Sequence, residues 1–190
     1  MTTVTPKIVK GQYGYMDKQR RKVILTTIVY YAISLAIFAM GYITTGSKRN
    51  LLTIVAVLGL LPASKSAVQM IMFLKAPRFS AEIAEVLKAQ AEGLDCAYEL
   101  VLTTYETTFP ITCVAVRDHS ICAYSEFTKC DADAFEEHVK KMLKQDGYHD
   151  MTVKLMSDQM KFKNRLHQMA ELSRNGKEQN ILQLLCDISL

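Results

Sequence analysis

The sequence predicts a two-helix transmembrane hairpin followed by a small mixed α/β (α+β) domain, with elements in the order α-β-β-β-α-β-α-α. Three observations carry this. Residues 23–45 and 51–74 are long apolar stretches joined by five polar residues. Charge is partitioned along the chain. Residues 1–22 hold six Lys/Arg against Asp17 alone, residues 23–74 hold only Lys48, Arg49 and Lys65, and residues 75–190 hold 14 basic against 18 acidic side chains. From residue 79 onward the apolar spacing switches between helical and strand periods. A chain of 190 residues with 49% hydrophobic and 22% charged residues is not a disordered or low-complexity one. The net charge of +4 belongs to the flanks and turn of the apolar region, so it is not a nucleic-acid signal.

Residues 1–22 form a basic cytosolic arm. Its end, Lys18-Gln19-Arg20-Arg21-Lys22, suits anionic headgroups. Residues 23–45 carry no formal charge, and a helix of that length spans about 34 Å, enough for a hydrocarbon core of about 30 Å. Five residues then allow only an antiparallel return, so residues 23–74 read as one hairpin with both ends on the same side. The Lys/Arg in the arm, with Lys75 and Arg78, outnumber the Lys48-Arg49 pair of the turn. The expected topology is therefore multi-pass in a bacterial-type inner membrane, with both termini cytoplasmic. Five cysteines without C-x-x-C spacing agree with a reducing compartment.

Inside the hairpin, Pro62 removes a helix hydrogen bond and predicts a kink over residues 58–62. Gly59, Ala63 and Ala67, and likewise Ala32 and Ala36, are spaced for close helix packing, within the hairpin or against another membrane protein. Lys65 lies nine residues before Leu74, about 14 Å along the second helix. A charge there either snorkels, helped by Ser64 and Ser66, or has a functional role.

After Ala76-Pro77 the elements follow in order. Ser80 is the expected N-cap of a helix with Ile83, Val86, Leu87 and Gln90 on one face, ending near Gly93. Residues 98–104 are rich in strand formers, and residues 111–116 have apolar residues pointing both ways, as in a central strand. Arg117-Asp118-His119-Ser120 turns the chain into a third strand over residues 121–126. Asp131 or Asp133 caps a helix bearing Phe135, Val139, Met142 and Leu143, closed by Gly147. Residues 152–156 are a short strand. Ser157 or Asp158 opens a helix with Phe162, Leu166, Met169 and Ala170 on its core side. A last helix carries Ile181, Leu184, Leu185 and Ile188, which dock on the domain or on a partner helix.

Helix, three strands, helix and strand over residues 79–172 resemble the core of the restriction-endonuclease-like fold. Membrane-tethered relatives of the Mrr type also place a transmembrane hairpin before such a domain. The resemblance rests on the order of elements and implies a metal site with an Asp on the second strand and Glu-x-Lys or Asp-x-Lys on the third. Here the second strand opens Phe109-Pro110-Ile111, Asp118 falls in the following turn, and two residues rather than one separate Glu126 from Lys129. The residues to suspect on this reading are Glu99, Asp118, Glu126 and Lys129.

No catalytic motif is complete, and no cofactor or metal site is expected. His119, His138, His149 and His167 are scattered, with no H-E-x-x-H, P-loop, G-x-S-x-G or G-x-G-x-x-G. Cys113 and Cys122 fall diagonally on neighbouring strands and read as small core residues rather than a redox pair. Glu136–Lys140 and Glu137–Lys141 read as surface i,i+4 pairs, His138 as a surface residue, and Lys161, Lys163 and Arg165 as a solvated face. The domain's acid excess opposes nucleic-acid binding. The expected partners are the bilayer and another protein or a second copy. The role expected is a non-enzymatic scaffold or regulatory subunit. The alternatives are a degenerate nuclease-like domain, or a channel or transporter accessory using Lys65.

Overall fold

The computed structural model describes residues 9–47, 50–105 and 107–190. Lys7, Lys48 and Arg49, which enter the charge argument, lie outside the described residues. The described residues separate into two compact units, one within residues 16–76 and one joining residues 9–15 to those of 77–190.

The first unit is a hairpin of α1 (Tyr15–Thr45) and α2 (Leu51–Lys75). The helix starts eight residues earlier than the apolar stretch because nothing between Gly14 and Val23 breaks it, so Asp17 to Lys22 extend it as a charged turn and a half. The arm expected over residues 1–22 is thus divided between the two units. Gly46 adopts φ +63° and ends α1. Asn50 fixes the turn: its Oδ1 accepts from Thr53 N at 2.8 Å, and its Nδ2 donates to Gly41 O and Ser47 O, each at 2.8 Å. Helix α2 runs unbroken past Pro62.

The second unit has the order α3 (Ala81–Gln90), β1 (Asp95–Thr103), β2 (Thr108–Arg117), β3 (Ser120–Tyr124), α4 (Ala132–Gln145), β4 (Thr152–Met156), α5 (Gln159–Ala170) and α6 (Glu178–Asp187). The sheet order is β1-β2-β3-β4; the first two pairings are antiparallel and β3-β4 is parallel, crossed over by α4. One sheet face packs Leu100, Phe109, Val116 and Ile121 against α4 and α6. The other packs Cys113, Ala115 and Cys122 against Leu87 of α3 and Phe162, Leu166 and Met169 of α5. Strand β2 is therefore covered on both faces, as its two-sided apolar pattern predicts.

Several helical faces sit a residue away from expectation. On α3, Val86 is exposed, while Ala84 and Leu87 are buried. Ala170 is exposed at the end of α5. On α6 the buried stripe is Ile181, Leu182, Leu185 and Cys186, while Leu184 and Ile188 lie at its margin. That helix docks on its own sheet.

Strands β1 and β2 change faces together. Ala97 and Leu100, three residues apart, both enter the core under α4 and α6, as do Ile111 and Val114. The opposed pair Glu99 and Thr112 is missing from an otherwise constant register, and Glu99 holds φ +54°. A left-handed residue in mid-strand turns the following side chains over. Each edge strand of the sheet has hydrogen-bond partners outside the ladder. On β1, Tyr98 N donates to Gly11 O and Leu190 N to Val101 O, each at 2.8 Å. On β4, Leu155 N donates to Glu136 Oε1 at 3.2 Å.

Candidate functional site

The four residues singled out by the nuclease resemblance do not assemble. Glu99 is buried at the face switch, opposite Thr112. Strand β3 ends at Tyr124 rather than at residue 126, because Ser125 leaves the β2 ladder: its Oγ donates to Pro110 O at 2.7 Å. Glu126 N then donates to Thr112 Oγ1 at 3.3 Å, and Glu126 Oε1 accepts from Ser80 N at 3.0 Å. Ser80 stands at the N-cap of α3 without a side-chain cap bond. Lys129 is exposed in the turn beyond, so it shares no strand with Glu126. Asp118 lies six residues along β2 from Thr112, about 20 Å away. At φ +51° it occupies the β2–β3 turn, where its Oδ1 lies 2.9 Å from His119 Nδ1.

The other titratable groups hold the domain together. Glu136 is buried and not a surface residue: besides Leu155 N, its Oε2 lies 3.2 Å from Lys154 Nζ and 3.9 Å from Lys140 Nζ. His138 is half-buried against the Phe109 ring, with centroids 6.1 Å apart; burial and then Lys141 lower its pKa. Burial alone would raise the Glu178 carboxyl. Backbone N–H groups outweigh it, with Asn175 N at 2.8 Å and Asp118 N at 3.4 Å, and hold the group below its ordinary value. A hydrogen bond with Cys96 and burial push the Cys113 thiol well up, and burial pushes Cys122 up to about 12. Both stay protonated near neutrality, the inert state of a core cysteine. Among the described residues no three His, Cys, Asp or Glu side chains converge to hold a metal ion.

The hairpin is where small and polar side chains do converge. A Cβ on Gly41 would come within 2.7 Å of Leu52 Cβ, and one on Gly59 within 2.8 Å of Ser34 Oγ. The Thr27 and Ser66 hydroxyls hydrogen-bond at 2.7 Å. Arg20 donates through Nε to Phe73 O at 3.0 Å and through its terminal nitrogen to Ala76 O at 2.8 Å. The α1 members Arg20, Thr27, Ser34 and Gly41 recur every seven residues, as do Leu52, Gly59, Ser66 and Phe73 on α2. This is a continuous antiparallel seam with heptad spacing, in which small residues allow close approach.

Ala63 is fully buried in the seam, and Gly59 and Ala67 are half-buried, whereas Ala32 and Ala36 are exposed and lie outside it. Ala32 instead lines an apolar groove of about 780 Å³ with Leu35, Val57 and Leu60. In the same register Lys65 lies level with Ile28, and it is nine residues or about 14 Å along α2 from Leu74. It is exposed and forms no ion pair among the described residues.

The period-seven set was present in the sequence, and a search of the apolar stretches for small and hydroxyl residues at that spacing would have found it. Comparison with known proteins gives no match to a family model, a curated protein or a solved structure. Among the described residues two helices, α1 and α2, are long and apolar enough to cross a membrane.

Proposed function

We propose that the chain is a membrane-anchored scaffold. In this reading α1 and α2 span a bacterial-type plasma membrane, both termini are cytoplasmic, and the α/β unit binds or positions another protein without catalysing a reaction. The observation that carries the proposal is the contrast between seam and surface. Thr27, Ser34, Gly41 and Ser66 are buried in the seam, while Leu25, Ile43 and Leu61 are 65%, 80% and 69% exposed. Only 17% of each helix's most apolar window is buried. A soluble core helix hides such residues; a lipid-facing one does not. Basic residues at the open end of the hairpin favour the cytoplasmic side for it. The non-enzymatic part is supported by the structural contacts of Glu126, Glu136 and Glu178, which fix a turn, a strand edge and a loop.

Alkaline carbonate extraction of membranes, with maleimide labelling of intact cells, tests the anchor. The chain should stay in the membrane, and a Ser47→Cys variant should take up impermeant reagent where a Gln12→Cys variant does not. Release by carbonate, or the reverse labelling, would overturn the reading.

A further inference from the structure

We propose that the outward face of α2 docks a transmembrane helix of a different protein, one carrying an Asp or Glu level with Lys65. This rests on the membrane reading above. Leu58, Pro62, Lys65 and Gln69 follow one another at spacings of four, three and four residues, so they share one face of α2. Pro62 and the Lys65 and Gln69 side chains on it are exposed. Pro62 has no N–H, so the Leu58 carbonyl loses its regular helix donor. One side of a lipid-facing helix therefore holds an ammonium, a carboxamide and an under-satisfied carbonyl. All three are expensive to leave in hydrocarbon.

Charge complementarity selects the occupant. The hairpin contains no Asp or Glu between residues 23 and 74, so neither its own α1 nor a second copy can neutralise Lys65 within the membrane. A lipid headgroup is the other source of negative charge, but the helix direction works against it. The nearer boundary lies toward the C-terminal end of α2, whereas Cα–Cβ bonds in an α-helix tilt toward the N-terminus. To reach the end of the apolar stretch at Leu74, the Lys65 stem must double back over about 14 Å, farther than it reaches even when straight. A carboxylate on a neighbouring helix meets the ammonium where it emerges.

The test places a photo-crosslinking amino acid at Leu58 on this face and, separately, at Leu35 on α1. The full chain is expressed in its own cells and irradiated in intact membranes. The expected result is an adduct from position 58 and not from 35, mapped to an apolar helix with an Asp or Glu. Its yield should fall at least tenfold with Lys65→Leu or Lys65→Glu and hold within about threefold with Lys65→Arg. Changing the partner's carboxylate to Lys should restore capture by Lys65→Glu. Adducts to lipid only, adducts to a second copy of the chain, or a yield indifferent to residue 65 would overturn the inference. Lys65→Leu lowers the cost of insertion, so its loss of capture is not a failure to insert. Carbonate extraction of the same membranes separates the two levels. Release of the chain defeats the membrane reading itself, and retention without a carboxylate-bearing partner defeats only this inference.

Discussion

Replacing Glu136 by alanine should open the free edge of β4. The carboxylate is buried, and its Oε1 is the acceptor for Leu155 N, an amide that points away from β3 in the parallel ladder. Leaving that N–H without an acceptor costs about 1–3 kcal/mol. The ammonium partners add little: Lys154 and Lys140 are 60% and 43% exposed, and such pairs contribute about 0–1 kcal/mol. The expected loss is therefore about 2 kcal/mol, or on the order of 8 °C in the unfolding midpoint of a domain near 110 residues. Glu136→Gln keeps an acceptor at the same place and should lose less than half of this. Denaturant unfolding of the full chain in detergent, with hydrogen exchange at the Leu155 amide, measures both. Equal midpoints for the Ala and Gln variants, or unchanged protection of Leu155 in the Ala variant, would refute the reasoning.

Gly59→Leu should force the hairpin seam apart at Ser34, costing about 1–3 kcal/mol in mixed-micelle unfolding, with Ser34→Gly in the same chain recovering most of it; an unchanged transition would mean that the seam is wrongly placed. Arg20→Ala removes two charged donors from the end of α2, so trypsin should cut after Lys75 several-fold faster, with Arg20→Lys intermediate because it lacks the forked geometry. The depressed Glu178 carboxyl contributes stability above the unfolded value of about 4.3, and this is lost as pH falls through the lower folded value. Stability of the wild-type chain over Glu178→Gln should therefore shrink toward nothing at the acid end; a gap constant from neutrality to acid would contradict that.

Apolar length and the alternation of periods made the hairpin and the order of elements legible, because both depend on composition over ten or more residues. What escaped depended on tertiary geometry. Glu136 sits in Glu136-Glu137-His138, where helical spacing to Lys140 suggests a surface pair; nothing local says that a strand edge 19 residues later needs an acceptor. The paired face switch at Glu99 and Thr112 has no composition signal, since neither residue is one that left-handed backbone favours. Leu184 and Leu182 compete for the same stripe of α6, and packing against the sheet buries Leu182. In the hairpin, Ala32 and Ala36 drew attention as small residues four apart. The seam itself is built from hydroxyls, two glycines and an arginine at sevens, which reads as packing only once polar side chains are admitted to it.

The chain leaves the sheet-bearing unit at Tyr15 and re-enters it at Pro77, so the hairpin is an insertion within a discontinuous domain. Gly11, from the earliest part of that unit, and Leu190, from the last, bond to β1 three residues apart. During synthesis the first of these must wait through both apolar helices and the whole sheet before its partner strand exists. The order of assembly is thereby set: the hairpin is made before the edge of β1 can be sealed, and sealing needs the last residue described. A fragment cut after the hairpin would lack Gly11 and leave Tyr98 N exposed on a strand edge, a template for self-association. Material for study of the α/β unit should therefore keep residues 9–15, rejoined across a short linker.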